Sequence, residues 1–148
     1  MSELKILENK ADTLYKCHNS MAKRYKIISE VFNILIIIIS GIISTFLPLI
    51  EEDTELVNSI LGYTITLITA IKVYFKPSDK HNIHRLASQE YISLKSKIRQ
   101  KIIQGENENN IELIQDFITK FEKKRKDSPF VSNSLYDKKY KTIVKDIV

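Results

Sequence analysis

The sequence predicts an all-α integral membrane protein, built as a helical hairpin with two transmembrane helices and a helical cytoplasmic layer. Two long apolar tracts, residues 31–50 and 56–75, carry this prediction. Charged residues make up 28% of the 148-residue chain and lie almost entirely outside these tracts. The other apolar residues recur at helical spacing, and no run of alternating residues is convincing enough to predict a strand.

Residues 1–30 form the first predicted element, an amphipathic helix with a heptad pattern. Its apolar positions alternate spacings of three and four residues, which is typical of a helix that packs on another helix. The stripe consists of Leu4, Leu7, Ala11, Leu14, His18, Met21, Tyr25 and Ile28. Because no glycine or proline occurs from residue 2 to residue 40, we expect this helix to continue into the first apolar tract.

Each apolar tract is long enough to cross a bilayer. A helix rises about 1.5 Å per residue, so twenty residues cover the roughly 30 Å of a hydrocarbon core. Lys72 lies near the end of the second tract, where a long side chain can reach the interface, and Tyr74 and Phe75 beside it suit an interfacial anchor. A signal peptide is a poorer interpretation of the first tract, since a charged helical segment precedes it and no small-residue cleavage site follows.

The distribution of Lys and Arg predicts the orientation of the hairpin. Residues 1–30 contain six Lys or Arg, residues 72–148 contain seventeen, and the acidic turn EEDTE at residues 51–55 contains none. Basic residues near the ends of transmembrane helices favour the cytoplasmic side. We therefore expect both termini in the cytoplasm and the acidic turn outside.

Residues 76–127 are predicted to form cytoplasmic helices, and residues 128–148 a C-terminal amphipathic helix. Ser78 or Asp79, after Pro77, is expected to cap the first of these helices, and Asn110 to cap the next. The apolar stripes are Ile83, Ala87, Tyr91, Leu94, Ile98 and Ile102; Ile114, Phe117, Ile118 and Phe121; and Tyr136, Tyr140, Ile143 and Ile147. We expect the stripe of residues 4–28 to pack on the helix of residues 83–102, in the same chain or in another copy.

This layout, together with the segment HRLASQEYISLKSKIRQKI at residues 84–102, resembles the SLATT domains. The resemblance covers roughly residues 10–125 and includes His84, Arg85, Ala87 and Tyr91, followed by Leu94 and Ile98. SLATT domains are two-transmembrane proteins with helical cytoplasmic flanks. Many occur beside nucleotide-second-messenger systems and are proposed to be membrane effectors that open pores, and relatives are encoded by large DNA viruses. The resemblance thus implies a pore-forming effector and is compatible with a viral origin, although no fused sensor domain accompanies it.

No pattern in the chain predicts catalysis, a cofactor, a metal or a nucleic-acid partner. His81 and His84 are three residues apart, but no carboxylate or cysteine set completes a metal site, so both are expected at a solvent-facing or interfacial position. His18 is expected to be packed or interfacial rather than a metal ligand, and Cys17 to be a buried or half-buried structural residue. The basic run at residues 123–126 lacks stacking aromatic residues and suits a solvated helix end or a contact with anionic lipid.

Small and weakly polar residues recur near one face of each apolar tract. They are Asn33, Ser40, Ser44 and Pro48 in the first tract, and Asn58, Gly62, Thr66 and Thr69 in the second, with Lys72 continuing the second set. Such residues let membrane helices approach closely, within the hairpin or between subunits, and they also line water-filled paths. A lone hairpin cannot enclose a pore, so we expect a homo-oligomer in either case.

Two functions stay open at this level. The first is an oligomeric pore-forming or channel-like membrane protein, in which the second tract lines the path and Lys72 forms a basic ring at the cytoplasmic mouth. The second is a non-conducting structural protein that organises a membrane or bridges it to a protein coat, for example in a virion. The weakly polar surface of both tracts favours the first function, and the missing sensor domain favours the second.

Overall fold

A computed structural model describes residues 2–46, 54–105 and 110–145 of the chain. Within these ranges the chain forms five α-helices and no strand, so the predicted all-α class is confirmed. The helices are α1 (Glu3–Phe46), α2 (Thr54–Phe75), α3 (Pro77–Ile103), α4 (Ile111–Asp127) and α5 (Asn133–Lys145). Three predicted features lie outside the described residues: most of the acidic turn, the end of the first tract with Pro48, and Ile147 of the last stripe.

Helix α1 runs for 44 residues without a break from the charged segment into the first apolar tract. Glu3 lies in its first turn, where a carboxylate interacts favourably with the helix dipole. The helix passes through Gly41 without interruption, since a single glycine costs only about 1 kcal/mol in a helix that other contacts support.

Helices α2 and α3 are separated by one residue, Lys76, whose φ of 45° places a non-glycine residue in the left-handed region. Its amide donates to the carbonyl of Lys72 at 3.0 Å, which closes α2. Helix α3 begins at Pro77, so the expectation that Ser78 or Asp79 caps it is wrong, and both lie in its first turn. The reason is that proline suits the first helical position, where its fixed φ fits and its missing N–H is not needed.

The ends of α3 and α4 follow their sequence signals. Gly105, with a φ of 66°, follows α3, and its amide donates to the carbonyl of Ile102 at 3.2 Å. Asn110 caps α4 as predicted, because its side chain accepts a hydrogen bond from the amide of Leu113 at 3.1 Å. Three basic residues, Lys124 to Lys126, occupy the last turn of α4, where cations are favourable.

The chain divides into two compact units. The core unit comprises Met1–Ala22 and Asn82–Val148, and the hairpin unit comprises Lys23–His81. In the core unit, one buried cluster joins three helices: Leu4, Leu7, Ala11 and Leu14 of α1, Tyr91, Leu94 and Ile98 of α3, and Ile114, Phe117 and Phe121 of α4. Ile143 of α5 is also buried, whereas Ile83 and Ile118 of the predicted stripes are exposed.

The heptad stripe of α1 changes its environment along its length. Its first members lie in the core of this chain, and His18 is also buried. Met21 and Tyr25 are half-buried, and Ile28 is exposed. The stripe therefore serves the chain's own packing near the N-terminus, and a role of Leu4, Leu7 or Leu14 between subunits stays a prediction.

In the hairpin unit, Pro77 is the one buried residue among those that the structure describes. Within the described part of the chain, two helices are long and apolar enough to cross a membrane, by length and composition. Only 6% of the most apolar stretch of the first is buried, and none of that of the second. Neither stretch is therefore a core helix covered by the rest of this chain.

Candidate functional site

A stripe of half-buried residues runs along each helix of the hairpin unit. On α1 the stripe is Tyr25, Ser29, Phe32, Ile36, Ile39 and Ile43, and on α2 it is Val57, Leu61, Thr64, Ile65, Ile68 and Lys72. Both have the spacing of three and four residues that keeps one helix face against a partner. We call these two stripes together the seam, the line along which α1 and α2 cover each other.

Two hydrogen bonds show the direction of α1 against the segment that follows the first tract. Lys72 Nζ of α2 donates to Asn33 Oδ1 at 2.5 Å, and Ser78 in the first turn of α3, two residues after Lys76, joins its hydroxyl to that of Ser29 at 2.8 Å. As residue numbers rise along α1, the numbers of their partners fall. The two helices of the hairpin are therefore antiparallel.

The weakly polar residues of the two tracts lie beside the seam and on the same side of it. At about 100° per residue, Asn33, Ser40 and Ser44 lie roughly 80° from the seam of α1. The residues Asn58, Gly62, Thr66 and Thr69 lie roughly 100° from the seam of α2, with the same sense of rotation. On two antiparallel helices that face each other, residues displaced from the seam by similar angles in the same sense lie on the same side of the pair. These seven residues, all exposed, form what we call the polar face, which on α1 also includes the exposed Ile37 between Asn33 and Ser40.

The opposite side of the hairpin is aliphatic. Between 38% and 60% of each side chain there is exposed, and the residues are Val31, Leu35, Ile38 and Ile42 of α1 with Ile60, Leu67 and Ile71 of α2. We call this set the aliphatic face. The hairpin is thus amphipathic across its width, although each tract taken alone is apolar nearly all round.

The small residues of the polar face do not serve close packing inside the hairpin of one chain. A Cβ atom added to Gly62 would meet no atom within 4 Å. The hydroxyl of Thr66 donates to the carbonyl of Gly62 at 2.9 Å, and that of Ser44 donates to the carbonyl of Ser40 at 3.1 Å. Since these hydroxyls are paired within their own helix, the polar face can be covered by lipid or by protein without leaving them unbonded.

Lys72 lies on the edge of the seam next to the polar face, and its ammonium reaches across to Asn33 on α1. An ammonium has three donors, so this bond leaves two for water or another acceptor. Lys80 Nζ lies 5.8 Å from the ring centre of Tyr25 and 5.5 Å from that of Phe75. These cation–π contacts hold a second cation beside aromatic residues at the same end of the hairpin.

A second polar cluster lies in the core unit, and sequence reasoning missed it. His18 Nδ1 and His84 Nδ1 are 3.0 Å apart, and the ring of Tyr91 stacks on His18 with centroids 5.5 Å apart. His84 is only 5% exposed, so its predicted solvent-facing or interfacial position is wrong. The signal was present, since His84 precedes Ala87 and Tyr91 at the three- and four-residue spacing of the buried stripe of α3.

Burial sets the charge of this cluster. It lowers the pKa of His18 to about 4, with a further contribution from His84, and it also lowers the pKa of His84. Both imidazoles are therefore neutral at neutral pH. The hydroxyl of Tyr91 accepts a hydrogen bond from Ser128 Oγ at 3.2 Å, which anchors the far end of the stack.

Cys17 is buried, as predicted, and its thiol lies 3.8 Å from the carbonyl oxygen of Leu135. Burial raises the pKa of this thiol to about 11, so the nucleophilic thiolate is scarce at neutral pH. Within residues 2–46, 54–105 and 110–145, no group of three or more His, Cys, Asp or Glu side chains could hold a metal ion.

The geometry thus defines an all-α protein with two apolar, largely uncovered helices paired as an amphipathic hairpin. No model of a known protein family matches the chain, and no characterised protein or solved structure gives a significant match. The resemblance to SLATT domains stays a prediction from the sequence.

Proposed function

We propose that this chain is a two-pass membrane protein whose copies assemble through the polar face of the hairpin and form a channel or pore. The observation that carries the proposal is the difference between the two faces: one is entirely aliphatic, and the other holds seven small or weakly polar residues. The SLATT resemblance implies the same activity, and the difference between the two faces is independent of that resemblance.

Insertion into a bilayer follows from the exposed area. Exposed aliphatic side chains cover the outer surface of both hairpin helices, including Ile37 at 68% and Leu67 at 60%. Contiguous apolar surface of this extent is costly in water and is covered in nature by lipid or by another protein. With the basic residues near Lys72 on the cytoplasmic side, the acidic turn lies outside and both termini lie inside. The basic end can also meet anionic head groups.

Assembly follows from the asymmetry of the faces. Lipid tails solvate the aliphatic face well, whereas Asn33 and Asn58 carry amide groups that lipid cannot bond. Pairing polar faces between copies covers these amides and lets small residues such as Gly62 bring helices close together. A ring of hairpins with polar faces inward then leaves a narrow path lined by α2 and bounded by Lys72.

A conducting path of this kind is narrow and largely apolar, because Ile65 and Val73 flank the polar residues of α2. A hydrophobic constriction stops conducting ions when it loses its water, and it conducts again when it widens slightly. We therefore propose that the resting state is closed and that movement of the cytoplasmic helices opens it.

A specific observation supports a second candidate, a non-conducting structural membrane protein. The hydroxyls of Thr66 and Ser44 are already bonded to carbonyls of their own helices, so they offer fewer free donors than a hydrated path would use. In that case the polar face serves as contact surface between copies, and the protein organises a membrane or joins it to a coat.

The deciding experiment is planar-bilayer recording of the purified protein with two threonine variants. Thr66→Leu changes the polar face, whereas Thr64→Leu makes the same chemical change on the seam. The two hydroxyls make equivalent bonds, to the carbonyl of Gly62 at 2.9 Å and to that of Ile60 at 2.8 Å, so the pair is matched. We expect Thr66→Leu to reduce the unitary current at least several-fold and Thr64→Leu to leave it close to wild type.

Silence of the wild type under every lipid and voltage, with intact oligomers, would remove the channel and leave the structural function. Equal effects of the two variants would remove α2's polar face as the lining. Orientation is tested separately in a chain without Cys17: a cysteine at position 54 should label from outside intact cells, and one at position 2 should not.

A further inference from the structure

The segment between α4 and α5 holds an aromatic ring out from the core unit. Phe130 is 82% exposed, more than any other large apolar side chain in the described part of that unit. The segment is tied down on both sides of this ring. Ser128 bonds the hydroxyl of Tyr91 at 3.2 Å, and the carbonyl of Ser132 accepts from the amide of Tyr136 at 3.1 Å. An anchored loop therefore presents the ring to the surroundings.

Further apolar side chains adjoin this loop, so Phe130 does not stand alone. Pro129 lines a cavity of the core unit together with Ile83 and Leu86 of α3. Ile83 is 50% exposed and Leu86 is 55% exposed. Single exposed apolar residues are ordinary on a protein surface, whereas a contiguous group of them marks a contact surface. We call Ile83, Leu86, Pro129 and Phe130 the apolar tip.

Basic side chains surround the apolar tip. The cavity beside Ile83 shares Ser128 and Pro129 with a second cavity, which Phe130 also lines. The charged residues that line the two cavities are Lys10, Lys120, Lys123, Lys124 and Arg125 on the basic side, and Glu90, Glu122 and Asp127 on the acidic side. The five cations outnumber the three anions by two, and Lys126 adds another cation in the last turn of α4. We call these basic residues the basic rim.

Two of the three acids are already paired with the basic rim. Glu90 lies 3.2 Å from the ammonium of Lys124, and a carboxylate oxygen of Glu122 lies 3.9 Å from the guanidinium of Arg125. Lys123 and Lys126 are exposed and make no ion pair within the described part of the chain. Their ammonium groups are therefore available to an anion from outside the protein.

An aromatic ring beside such lysines fits an anionic lipid surface. Phenylalanine rings enter the boundary between head groups and acyl chains, and Lys and Arg side chains are attracted to anionic head groups. A free phosphate would engage the lysines but would offer nothing to the ring of Phe130. The other end of α4 differs in charge, because Ile111 is 78% exposed but is followed by Glu112 in the first turn.

We propose that the apolar tip and the basic rim form a docking surface for anionic phospholipid. The ring of Phe130 enters the head-group layer, and Lys123 and Lys126 meet the phosphates. This docking surface rests on the membrane insertion proposed above, which brings a lipid surface within reach of the core unit. The cytoplasmic leaflet, on the side proposed for both termini, is the one that carries the negative surface charge.

The chain contains no tryptophan, so one tryptophan placed at the tip is a unique fluorescent reporter. The full-length Phe130→Trp protein is reconstituted into vesicles with lipid brominated near the head group, which quenches tryptophan on contact. The vesicles consist of phosphatidylcholine alone or of phosphatidylcholine with phosphatidylglycerol. We expect strong quenching in the anionic vesicles and much weaker quenching in the neutral ones, since each Lys or Arg near an anionic surface contributes roughly a five-fold factor to binding.

Two further variants with a single tryptophan serve as references. Leu67→Trp lies on the aliphatic face of the hairpin and reports insertion, so it should be quenched in both kinds of vesicle. Ile111→Trp replaces a side chain almost as exposed as Phe130 but beside an acidic residue, and it should be quenched in neither.

The basic rim is tested in the Phe130→Trp protein with two pairs of substitutions. Lys123→Gln with Lys126→Gln removes both unpaired lysines, which should weaken binding roughly 25-fold and reduce the quenching to its level in neutral vesicles. The matched control is Lys97→Gln with Arg99→Gln, which removes the same charge about three turns of α3 beyond Leu86. We expect the control pair to leave the quenching close to that of the parent protein.

Unquenched Phe130→Trp in anionic vesicles, with Leu67→Trp quenched, would overturn the docking surface and leave the membrane insertion intact. Absence of Leu67→Trp quenching in every vesicle would instead remove the insertion, and the docking surface with it. Equal quenching of Phe130→Trp and Ile111→Trp would overturn the role of the tip. Equal quenching of Phe130→Trp in neutral and anionic vesicles, or equal effects of the two pairs, would also overturn the proposal, because the basic rim would have no part in the contact.

Discussion

The core unit and the hairpin unit use the same apolar spacing and reach opposite results. In the core unit, α1, α3, α4 and α5 surround one another, and Leu4, Ala11 and Ile98 are at most 1% exposed. In the hairpin unit, two helices cover only one stripe each, and the rest of their apolar surface stays open. Spacing of three and four residues therefore predicts a helix face that packs against a partner. Whether the chain buries most of its apolar surface depends on how many of its helices pack together.

The two units also accommodate polar groups differently. The core unit buries polar side chains in pairs, as with Asp12, which accepts a hydrogen bond from Lys95 at 2.7 Å. Among the residues that the structure describes, no buried side-chain nitrogen or oxygen lacks a hydrogen-bond partner. The hairpin pairs the hydroxyls of Thr64 and Thr66 with carbonyls of their own helix, and its bond between helices, from Lys72 to Asn33, is exposed. The core unit therefore encloses polar bonds between its helices, whereas the hairpin leaves such a bond at its surface.

The largest expected difference between the units comes from removing a tyrosine ring. Tyr91→Ala removes a fully buried ring that contacts His18 and Phe121, and it should lower the free energy of unfolding by about 4 kcal/mol. Tyr63→Ala removes a ring that is 83% exposed on α2, and it should change the free energy of unfolding by less than ~0.5 kcal/mol. Denaturant unfolding in detergent, followed by circular dichroism, measures both, and equal losses would mean that the hairpin's surface is covered within the chain.

The next effect concerns what covers the aliphatic face. Ile38→Lys places a charge near the middle of the first apolar tract and should cost ~2.5–3.5 kcal/mol of membrane insertion. The control is Ile118→Lys on α4, where the native side chain is 37% exposed and a lysine should be tolerated. Extraction of cell membranes with alkaline carbonate reports insertion. Full retention of the Ile38 variant would argue that this face does not meet lipid.

A smaller effect is expected at the joint between α2 and α3. Lys76 has a φ of 45° and precedes a proline, two conditions that a residue with a Cβ satisfies poorly. Lys76→Gly should raise the free energy of unfolding by ~0.5–1 kcal/mol, after allowing for the greater freedom of glycine in the unfolded chain. Lys76→Ala, which loses the charge but keeps the Cβ, is the control. A gain in the alanine variant as large as in the glycine variant would assign the effect to charge.

The smallest expected effect is the coupling across the seam. A double-mutant cycle of Asn33→Leu and Lys72→Met should give an interaction energy of about 0.6 kcal/mol, the typical value for hydrogen bonds between membrane helices. The readout is the unfolding free energy of the hairpin in mixed micelles. Additive single effects would show that the bond at 2.5 Å contributes nothing beyond the two side chains themselves.

The parts of this fold that follow from local chemistry could be predicted from the sequence. Asn110 accepts from the amide three residues on, and the stripes of α1 and α3 repeat at helical spacing, so both are visible in a single segment. The two apolar tracts are visible for the same reason. The side chains of Ser78 and Asp79 suit a helix cap, but Pro77 already satisfies the first position of α3.

The features that need two distant segments could not be predicted. His18 and His84 are 66 positions apart, and nothing in either neighbourhood states that their rings meet. The shared polar face is similar, because Asn33 and Thr66 belong to one face only once the seam has fixed the rotation of each helix. The weakly polar residues of each tract are visible in the sequence, but only the pairing of α1 and α2 shows that both sets lie on the same side of the hairpin.

The contacts between the two halves of the chain are nested around the turn, and this has a consequence for the order of folding. Asn33 meets Lys72 across 39 positions, Ser29 meets Ser78 across 49, His18 meets His84 across 66, and Asp12 meets Lys95 across 83. Closing a long loop in one step costs more entropy than extending a contact already made. Pairing should therefore begin next to the turn and proceed outward, with each contact shortening the loop that the next must close. The N-terminal part of α1, which carries Asp12 and His18, should then find its place after the part that carries Asn33.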